Sequence, residues 1–489
     1  MPISMSKPPR AGGESGDPTE PGGPAEPGGP AGPEDSPADE GSGADPAAVK
    51  KAVVASVMGN CIEWFDFGVF TAGVMTSIIG TVFFPEDAAG SATLRSFALI
   101  AAAFVARPFG GLFFGPLGDR LGRRRVLAAT ILLMSGSTFC IGILPGYATI
   151  GVAAPILLLL VRLVQGFSTG GEYGGAATVI AEYAPTRRRG FLGSFLELGT
   201  LTGYICGAGL VLAVDLLLSR QAMHSWGWRV PFLIALPLGL VGLYLRSRIE
   251  DTPAFRQLER AGGKARSPLR ETLARNRPMV LNLIGIVFLL NVADYTLLTF
   301  MPSYLTDNLA TGEITAQLIT IGVELAMIAV IVPLGALSDR IGRRPLLLAA
   351  AAGFLVLSWP AFALMQTGRA LGVAAGYAII GGLLVPMLAV IGATFPAMFP
   401  TRVRYGAFAI GYNVSTSLFG GTCAVLVGSL IKVTGTNYIP AYYLMLAAVV
   451  ALVPIMLIPE TAGVPIQRAG QPRPRRAAVR PRRLDLGTG

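Results

Sequence analysis

The chain is poor in the residues that build metal centres, disulfide frameworks and many catalytic sites. It has a single histidine, His224, and four cysteines in 489 residues, and no two cysteines form a C-x-x-C pair. Metal sites and disulfide frameworks need several such side chains at close spacing. We therefore expect no metal and no cofactor, and we interpret the cysteines as small packing residues. The sequence also lacks a nucleophile motif and the phosphate-binding pattern Gly-x-x-x-x-Gly-Lys-Ser/Thr, so it predicts a protein that is not an enzyme.

Charged residues are also scarce, at 14% of the chain, whereas 52% of the residues are hydrophobic. The hydrophobic residues fall into runs of about 20, the length at which a helix crosses the hydrocarbon core of a bilayer. The sequence therefore predicts an all-α membrane protein with twelve transmembrane helices. The predicted spans are 52–80, 95–118, 126–145, 151–182, 190–218, 229–247, 278–306, 315–337, 346–366, 371–398, 406–432 and 439–460.

Polar segments divide these spans into two sets of six. Residues 1–48 are rich in Pro, Gly, Ser and Glu, contain no apolar signal-peptide core and predict a disordered tail. The first six-helix bundle is predicted over 49–247 and the second over 278–461. Between them, 248–277 reads as a polar cytoplasmic loop, and 462–489 as a basic disordered tail.

The net charge of +10 is distributed unevenly about the predicted membrane. Most Lys and Arg residues fall on the side that carries both termini, which is the positive-inside pattern of a bacterial cytoplasmic (plasma) membrane protein with cytoplasmic termini. We expect partners in anionic lipid headgroups rather than nucleic acid, at roughly 1 kcal/mol per arginine near the surface. A tail that only fixes topology is equally consistent. The sequence does not predict an oligomeric state. The tail arginines are Arg473, Arg475, Arg476, Arg480, Arg482 and Arg483.

A charged loop occurs twice, at the same place in each set of spans. Residues 115–124, GPLGDRLGRR, recur as 335–344, GALSDRIGRR. A loop repeated between hydrophobic spans indicates a duplicated membrane unit, and two bundles related by a repeat suit alternating access around a central site. The aspartate of each loop can meet the positive end of a neighbouring helix and pair with arginine.

Further motifs give the chain a recognisable pattern. The repeated loop, with Arg162-x-x-Gln165-Gly166 and then Gly170-Gly171, resembles the signature motifs of the major facilitator superfamily. Within it, the chain resembles the metabolite:proton symporter family from about Val53 to Thr461. The segments that carry this finer resemblance are 59–68 (GNCIEWFDFG), 170–176 (GGEYGGA), 226–232 (WGWRVPF), 250–255 (EDTPAF), 301–305 (MPSYL) and 396–401 (PAMFPT).

The resemblance implies a fold of two pseudo-symmetric six-helix bundles and a symporter that imports a small zwitterionic solute, of the proline or glycine betaine type, with protons. The alternatives are a proton symporter of a carboxylate such as 2-oxoglutarate, citrate or shikimate, a drug exporter, and a membrane osmosensor or receptor. The resemblance also implies that the two loops are conformational latches: Asp119 and Arg123 lock the cytoplasmic ends of the second and eleventh spans, and Asp339 with Arg343 forms the pseudo-symmetric latch. The latch residues are Asp119, Arg120 and Arg123 in one loop and Asp339, Arg340 and Arg343 in the other.

Ionisable side chains inside the spans are expected to have a function or an ion-pair partner, because placing each one in a bilayer costs roughly 2.5 kcal/mol or more. Glu63 and Asp66 are three residues apart on one face of the first helix, and two close carboxylates disfavour double ionisation, which suits a proton carrier. The alternative is a structural ion pair with Arg107. For Glu172 we weigh proton relay against interhelical pairing, and Glu182 is predicted to be interfacial.

Arg107 and Arg162 are the cations predicted at depth, and either could hold a substrate carboxylate through a two-pronged contact or serve structure alone. Aromatic residues accompany them, and their faces could bind a quaternary ammonium group, although core packing is the alternative for each. The candidate aromatic contacts are Trp64, Phe67, Tyr173 and Tyr295.

Two features depart from the family pattern. The tail has no heptad repeat, which puts osmotic regulation in doubt, since osmosensing relatives often end in a coiled coil. Asp294 and Glu324 add acidic groups to the seventh and eighth spans, where apolar or neutral residues are expected, and they could alter ion coupling or substrate choice.

Overall fold

The computed structural model describes residues 45–85, 92–262 and 268–466. Within these residues the chain is all-helical, and twelve helices are long and apolar enough to cross a membrane. The predicted fold class is confirmed. The helices α1 to α12 are Pro46–Thr71, Ala98–Leu121, Arg123–Ile143, Ala153–Tyr183, Thr186–Leu217, Arg229–Ser247, Arg277–Asn308, Thr315–Ile341, Arg343–Met365, Ala370–Thr394, Arg404–Thr434 and Ile439–Leu457.

The first predicted span, 52–80, is interrupted in the structure. Helix α1 ends at Thr71, and a short helix, Gly73–Val82, follows after Ala72, whose ψ of 128° is not helical. The Thr76 hydroxyl donates to the carbonyls of Phe70 and Ala72, at 3.0 and 3.1 Å. The Ala72 carbonyl also accepts from the backbone N–H of Thr76, so it is the bond to Phe70 that pairs a carbonyl next to the break.

The polar segments contain helical residues where the structure describes them. The central loop contains two short helices, Pro253–Arg260 and Pro268–Arg275. The predicted tail of residues 1–48 lies outside the described residues as far as 44, and α1 already begins at Pro46. Most of the predicted tail 462–489 also lies outside them.

Five residues of the C-terminal segment, 462–466, are described, and they pack against the helix ends. The Val464 carbonyl accepts a hydrogen bond from Arg189 Nη1 at 3.0 Å, and the Ile466 carbonyl accepts one from Arg404 Nη2 at 2.8 Å. Ile466 is itself buried. The chain therefore leaves α12 along the bundle surface for at least these residues.

Glycines allow α1 and α5 to approach closely. A Cβ on Gly203 would overlap the carbonyl of Cys61, and one on Gly207 would overlap the carbonyl of Phe65. Small residues at helix crossings permit this backbone contact in membrane bundles. A Cβ on Gly209, on the same helix, would meet nothing within 4 Å, so this glycine is not part of the crossing. The close α1–α5 contact fixes the position of the acidic residues of α1.

Candidate functional site

A narrow cavity inside the first half is lined by charged residues from three helices. The cavity lies between α1, α2 and α4. Glu63 and Asp66 come from α1, Arg107 from α2 and Arg162 from α4, and none of the four is more than 3% exposed. The structure thus brings together acids and arginines that lie far apart in sequence, in surroundings where charge interactions are strong.

The first ion pair joins α1 to α2 and touches the second half. Arg107 Nη2 lies 2.6 Å from Glu63 Oε1. The other guanidinium nitrogen, Nη1, donates to the hydroxyl of Tyr295 on α7 at 3.4 Å. The guanidinium also lies over the ring of Phe104, 5.1 Å from its centre. Arg107 therefore connects an acid of the first half to a tyrosine of the second.

The second ion pair joins α1 to α4. Arg162 Nη1 lies 3.1 Å from Asp66 Oδ2 and 2.5 Å from the side-chain oxygen of Gln165, whose amide nitrogen donates to Thr138 at 2.8 Å. The guanidinium carbon is 3.4 Å from the centre of the Phe70 ring. Arg162 Nη2 and Asp66 Oδ1 are buried without a hydrogen-bond partner among the described residues. The pair therefore retains a donor and an acceptor that a polar ligand could use.

Three of the four predicted aromatic contacts lie together beside Arg107. The ring centres of Trp64 and Phe67 are 5.3 Å apart, and those of Trp64 and Tyr295 are 6.4 Å apart. Phe104 stands between Phe67 and Tyr295, at 5.6 and 5.2 Å. The cluster places an aromatic surface next to a guanidinium, which are the two features that a zwitterion with a quaternary ammonium group requires.

Tyr173 is placed differently. Its ring stacks on Tyr412 of α11 at 4.3 Å, and its hydroxyl donates to Glu197 of α5 at 2.5 Å. It contributes to the contact between the halves, outside the cavity lining.

Glu172 is held by an interhelical pair. Arg246 of α6 binds both of its carboxylate oxygens, and Thr130 of α3 donates to Oε2 at 2.7 Å. Gly59 of α1 lies against this pair, where a Cβ would overlap the Arg246 guanidinium. The alternatives for Glu172 were proton relay and interhelical pairing, and this geometry is that of an interhelical ion pair. The sequence reasoning missed Arg246, because it stands near the end of its span and resembles an interfacial residue.

The first signature loop binds the start of α11. Asp119 accepts hydrogen bonds from the backbone N–H groups of Gly406 and Tyr405, at 2.8 and 3.3 Å, and Arg123 lies 3.3 Å from its Oδ1. A carboxylate at a helix N-terminus is favoured by the unpaired N–H groups and the helix dipole. Arg120 is exposed, whereas Asp119 and Arg123 are buried.

The second signature loop repeats the arrangement at the start of α5. Asp339 accepts from the N–H groups of Gly190 and Phe191 at 2.8 and 2.9 Å, and Arg343 donates to it at 2.7 Å. Arg340 is exposed. Each half therefore places a loop carboxylate on a helix of the other half. We call this end of the molecule, which carries residues 118–123 and 338–343, the signature-loop end.

Glu182 joins the two halves beside the first loop. It lies 2.7 Å from Arg404 of α11 and 3.4 Å from Arg123, and the Thr252 hydroxyl also donates to it. Glu182 is 1% exposed, so the prediction of an interfacial residue is wrong. The neighbouring arginines in sequence suggested solvent, whereas its partner Arg404 is 222 residues away.

An acid after the last helix of each half caps a further helix. Asp251 accepts from the N–H of Arg124 at 3.1 Å, and Glu460 accepts from the N–H groups of Arg343 and Arg344 at 3.0 and 3.1 Å. Burial raises the pKa of Glu460, but the N–H groups of Ala462, Arg343 and Arg344 outweigh it, so that its pKa lies below the usual range. The two caps are related by the same repeat as the loops.

The chain matches two sequence families. The family described as sugar (and other) transporter matches residues 51–274, and the Major Facilitator Superfamily matches residues 283–485. A solved structure of a proton:xylose symporter superposes with a TM-score of 0.71 at 17% sequence identity, over 86% of this chain and 98% of that one. This likeness supports the two-bundle fold.

Relatives with higher identity extend over most of the chain. The proline/betaine transporter of Salmonella typhimurium is 42% identical over 434 residues, which are 87% of this chain and 86% of that protein. The ectoine/proline transporter of Corynebacterium glutamicum is 38% identical over 442 residues, 86% of each protein. These matches confirm the resemblance seen in the motifs. The chain is a multi-pass membrane protein of the major facilitator superfamily, and within it belongs to the family of the proline/betaine transporters.

Proposed function

We propose that this protein imports a small zwitterionic solute of the proline or glycine betaine type together with protons, by alternating access. The observation that carries the proposal is a pair of buried Arg–carboxylate contacts in one cavity, beside the aromatic cluster of Trp64, Phe67 and Tyr295. The names of its relatives, which are transporters rather than enzymes, support the same solute class.

The solute carboxylate binds a guanidinium that already has a carboxylate partner. Arg107 is held on one edge by Glu63, and its Nε has no hydrogen-bond partner in the described structure. A solute carboxylate can form the two-pronged contact that arginine favours only by competing with Glu63. The quaternary ammonium end then faces the aromatic cluster, at about 0.5–2 kcal/mol for each ring that it covers.

This competition couples the solute to a proton. When the solute displaces Glu63 from Arg107, a buried carboxylate is left without its cation, and protonation removes the cost of that charge. Asp66 and Arg162 form a second pair of the same kind, in which Asp66 Oδ1 is a free acceptor and Arg162 Nε and Nη2 are free donors among the described residues. Glu63 and Asp66 are therefore the proposed proton carriers of the first half, and Glu172 stays bound to Arg246.

Alternating access follows from the two latches. The halves 49–247 and 278–461, joined by 248–277, rock against each other, and the contacts of Asp119 and Asp339 hold the signature-loop end closed. Opening that end requires both carboxylates to leave their helix N-termini. Arg123 and Arg343, which pair with these carboxylates, set the rate of the exchange rather than the affinity for solute.

We place the signature-loop end and both termini in the cytoplasm of a bacterial cell, at the inner membrane. Exposed arginines that favour this orientation are concentrated at this end. They also supply contacts with anionic lipid headgroups, at roughly 1 kcal/mol each. These arginines are Arg124, Arg125, Arg187 and Arg188.

A carboxylate symporter is the second candidate, because two guanidinium groups, those of Arg107 and Arg162, line a single cavity. A dicarboxylate could engage both arginines, whereas a betaine has one carboxylate and one cationic end. The two candidates therefore differ in whether both arginines or one arginine and the aromatic cluster hold the solute.

Transport in proteoliposomes with an imposed pH gradient separates these candidates. We expect radiolabelled glycine betaine to accumulate when the outside is acidic, and a protonophore to abolish accumulation. We expect Asp66→Asn to exchange solute but not to concentrate it, and Arg107→Lys to bind solute more weakly than wild type, because lysine lacks the planar fork. Accumulation driven by sodium, or of 2-oxoglutarate in place of betaine, would contradict the proposal.

A further inference from the structure

Two carboxylates in the second half differ from the other acids considered above. Asp294 of α7 is 7% exposed and Glu324 of α8 is 1% exposed. Asp294 Oδ1 and Glu324 Oε1 are buried with no hydrogen-bond partner in the part of the chain that the structure describes, and neither side chain forms an ion pair there. Glu63, Asp66 and Glu172, by contrast, each bind an arginine.

The surroundings of the two carboxylates contain little positive charge. Glu324 interacts with Asp294 and with the tyrosines of α5 and α10, Tyr204 and Tyr377. Arg107 is the cation that interacts with Asp294, and it is already bound to Glu63. The other titratable groups that interact with Asp294 are Glu197, Tyr204, Tyr295, Tyr412 and Cys423.

A cleft connects Glu324 to the end opposite the signature loops. It lies between α1, α5, α7 and α8 and has a volume of about 430 Å³, and Glu324 stands in its wall. Asp215 and Asp307, close to the ends of α5 and α7, line its outer part. Among the described residues that line the cleft, no side chain is basic. Water and hydronium can therefore reach Glu324 from this side.

We propose that Asp294 and Glu324 form a second proton-binding site, loaded from this cleft and separate from the acids of α1. A buried carboxylate without an ion-pair partner or a hydrogen-bond donor is costly when charged, and two such groups that repel each other favour a state in which one of them is protonated. Protonation neutralises the pair without breaking an existing ion pair, whereas protonating Glu63 or Asp66 first requires its arginine to be released.

The proton follows a simple balanced path. A hydronium ion in the cleft gives its proton to a carboxylate oxygen of Glu324 and leaves water. The proton then passes to a carboxylate oxygen of Asp294. Asp294 regains its negative charge when the proton is released at the signature-loop end. Asp294 precedes Tyr295, whose hydroxyl accepts from Arg107. Neutral Asp294 no longer attracts Arg107, so loading this site alters the guanidinium that the solute needs.

This inference rests on the proposed proton-coupled import, and one set of measurements separates the two. Proteoliposomes are used to measure solute exchange at equal pH, accumulation driven by a pH gradient, and the number of protons per solute from reversal potentials. The variants are Asp294→Asn and Glu324→Gln, with Asp307→Asn as the control, because Asp307 is an exposed acid at the rim of the same cleft.

We expect both variants to exchange solute at close to the wild-type rate, to accumulate it less and to move fewer protons per solute, while Asp307→Asn behaves as wild type. Variants with wild-type proton numbers and accumulation would overturn the second site and leave proton-coupled import intact. Accumulation by the wild-type protein that does not depend on the pH gradient, or that is driven by a sodium gradient, would overturn both the second site and proton-coupled import. Loss of exchange in variants with unchanged thermal stability would assign the two acids to solute binding and also overturn the second site.

Discussion

The carboxylate of Asp119 lies 2.8 Å from the backbone nitrogen of Gly406, although 287 residues separate them in sequence. The contact joins the loop after α2 to the first turn of α11, and Asp339 repeats it on Gly190 at 2.8 Å. Each carboxylate receives two backbone N–H groups and one arginine. Both contacts must break for the signature-loop end to open, so they bear directly on the rate of the transport cycle.

We predict that Asp119→Asn slows transport and leaves the affinity for solute nearly unchanged. The amide keeps the shape of the side chain but loses the charge that favours a helix N-terminus, an interaction of about 0.3–2 kcal/mol. The closed population should fall by roughly twofold to thirtyfold, since about 1.4 kcal/mol corresponds to a factor of ten. Initial uptake rates and equilibrium solute binding on the same preparation measure the two effects.

The control for this prediction is Arg340→Gln, which removes an exposed charge from the other loop. It should retain the wild-type rate. An Asp119→Asn protein that transports at the wild-type rate would remove the latch function from this contact.

We predict that Glu182→Gln destabilises the protein more than most substitutions at this end. The change leaves Arg404 and Arg123 buried without their shared carboxylate, and breaking a buried ion pair costs about 3–5 kcal/mol. Thermal unfolding in detergent measures the loss. Glu250→Gln is the matched control, because its contact with Arg256 is exposed, and such pairs contribute about 0–1 kcal/mol. Equal melting temperatures for the two variants would contradict this reasoning.

The transmembrane fold was predictable because long apolar runs leave few alternatives to membrane helices. The break at Ala72 was not predictable, because no proline marks it. It is accompanied by hydrogen bonds from the Thr76 hydroxyl to backbone carbonyls, and a threonine within an apolar run does not by itself indicate a break. Signature loops were found from their repeat alone. The resemblance implied the eleventh span as the partner of Asp119, but the partner atoms could not be predicted, because Gly406 and Gly190 act through backbone N–H groups that leave no pattern in the sequence.

The charged site was only partly predictable for a related reason. Glu63, Asp66, Arg107 and Arg162 stand in the middle of apolar runs, so each is conspicuous. The sequence could not assign Glu63 to Arg107 and Asp66 to Arg162, because the pairing depends on how α1 is rotated against α2 and α4. Arg246 was not predicted as a site residue, because a charged side chain near a helix end usually reaches solvent.

We predict that Gly59→Ala disrupts the Glu172–Arg246 pair. A Cβ at this position would overlap the guanidinium and lie 2.8 Å from Glu172 Oε1, and overpacking of this kind costs about 1–3 kcal/mol. The variant should unfold at a lower temperature in detergent. Gly136→Ala is the control, because its Cβ would meet nothing within 4 Å, and alanine favours a helix over glycine by about 1 kcal/mol. A Gly59→Ala protein as stable as Gly136→Ala would show that the pair can move aside.

We predict that Glu460 stabilises the protein in a pH-dependent way. Its pKa is lowered on folding by the N–H groups of Ala462, Arg343 and Arg344, despite the opposing effect of burial. A group with a lowered pKa contributes its stability above the ordinary carboxyl value, about 4.3 for glutamate, and loses it as the pH falls through the folded-state value. The contribution of Glu460 is therefore present at neutral pH and disappears in acid.

Melting temperatures of wild type and Glu460→Gln, measured from neutral pH down through this range, test the prediction. Glutamine keeps one acceptor oxygen for the N–H groups of α9 but carries no charge to meet the helix N-terminus. The difference in melting temperature between the two proteins, which we call the gap, should be largest at neutral pH. It should disappear as Glu460 becomes protonated in the folded wild type. Glu250→Gln, at the same end but exposed, should show a small gap at every pH. If the Glu460→Gln gap is constant down to the acid limit, the hydrogen bonds alone hold the cap and the charge adds nothing, which would contradict the prediction.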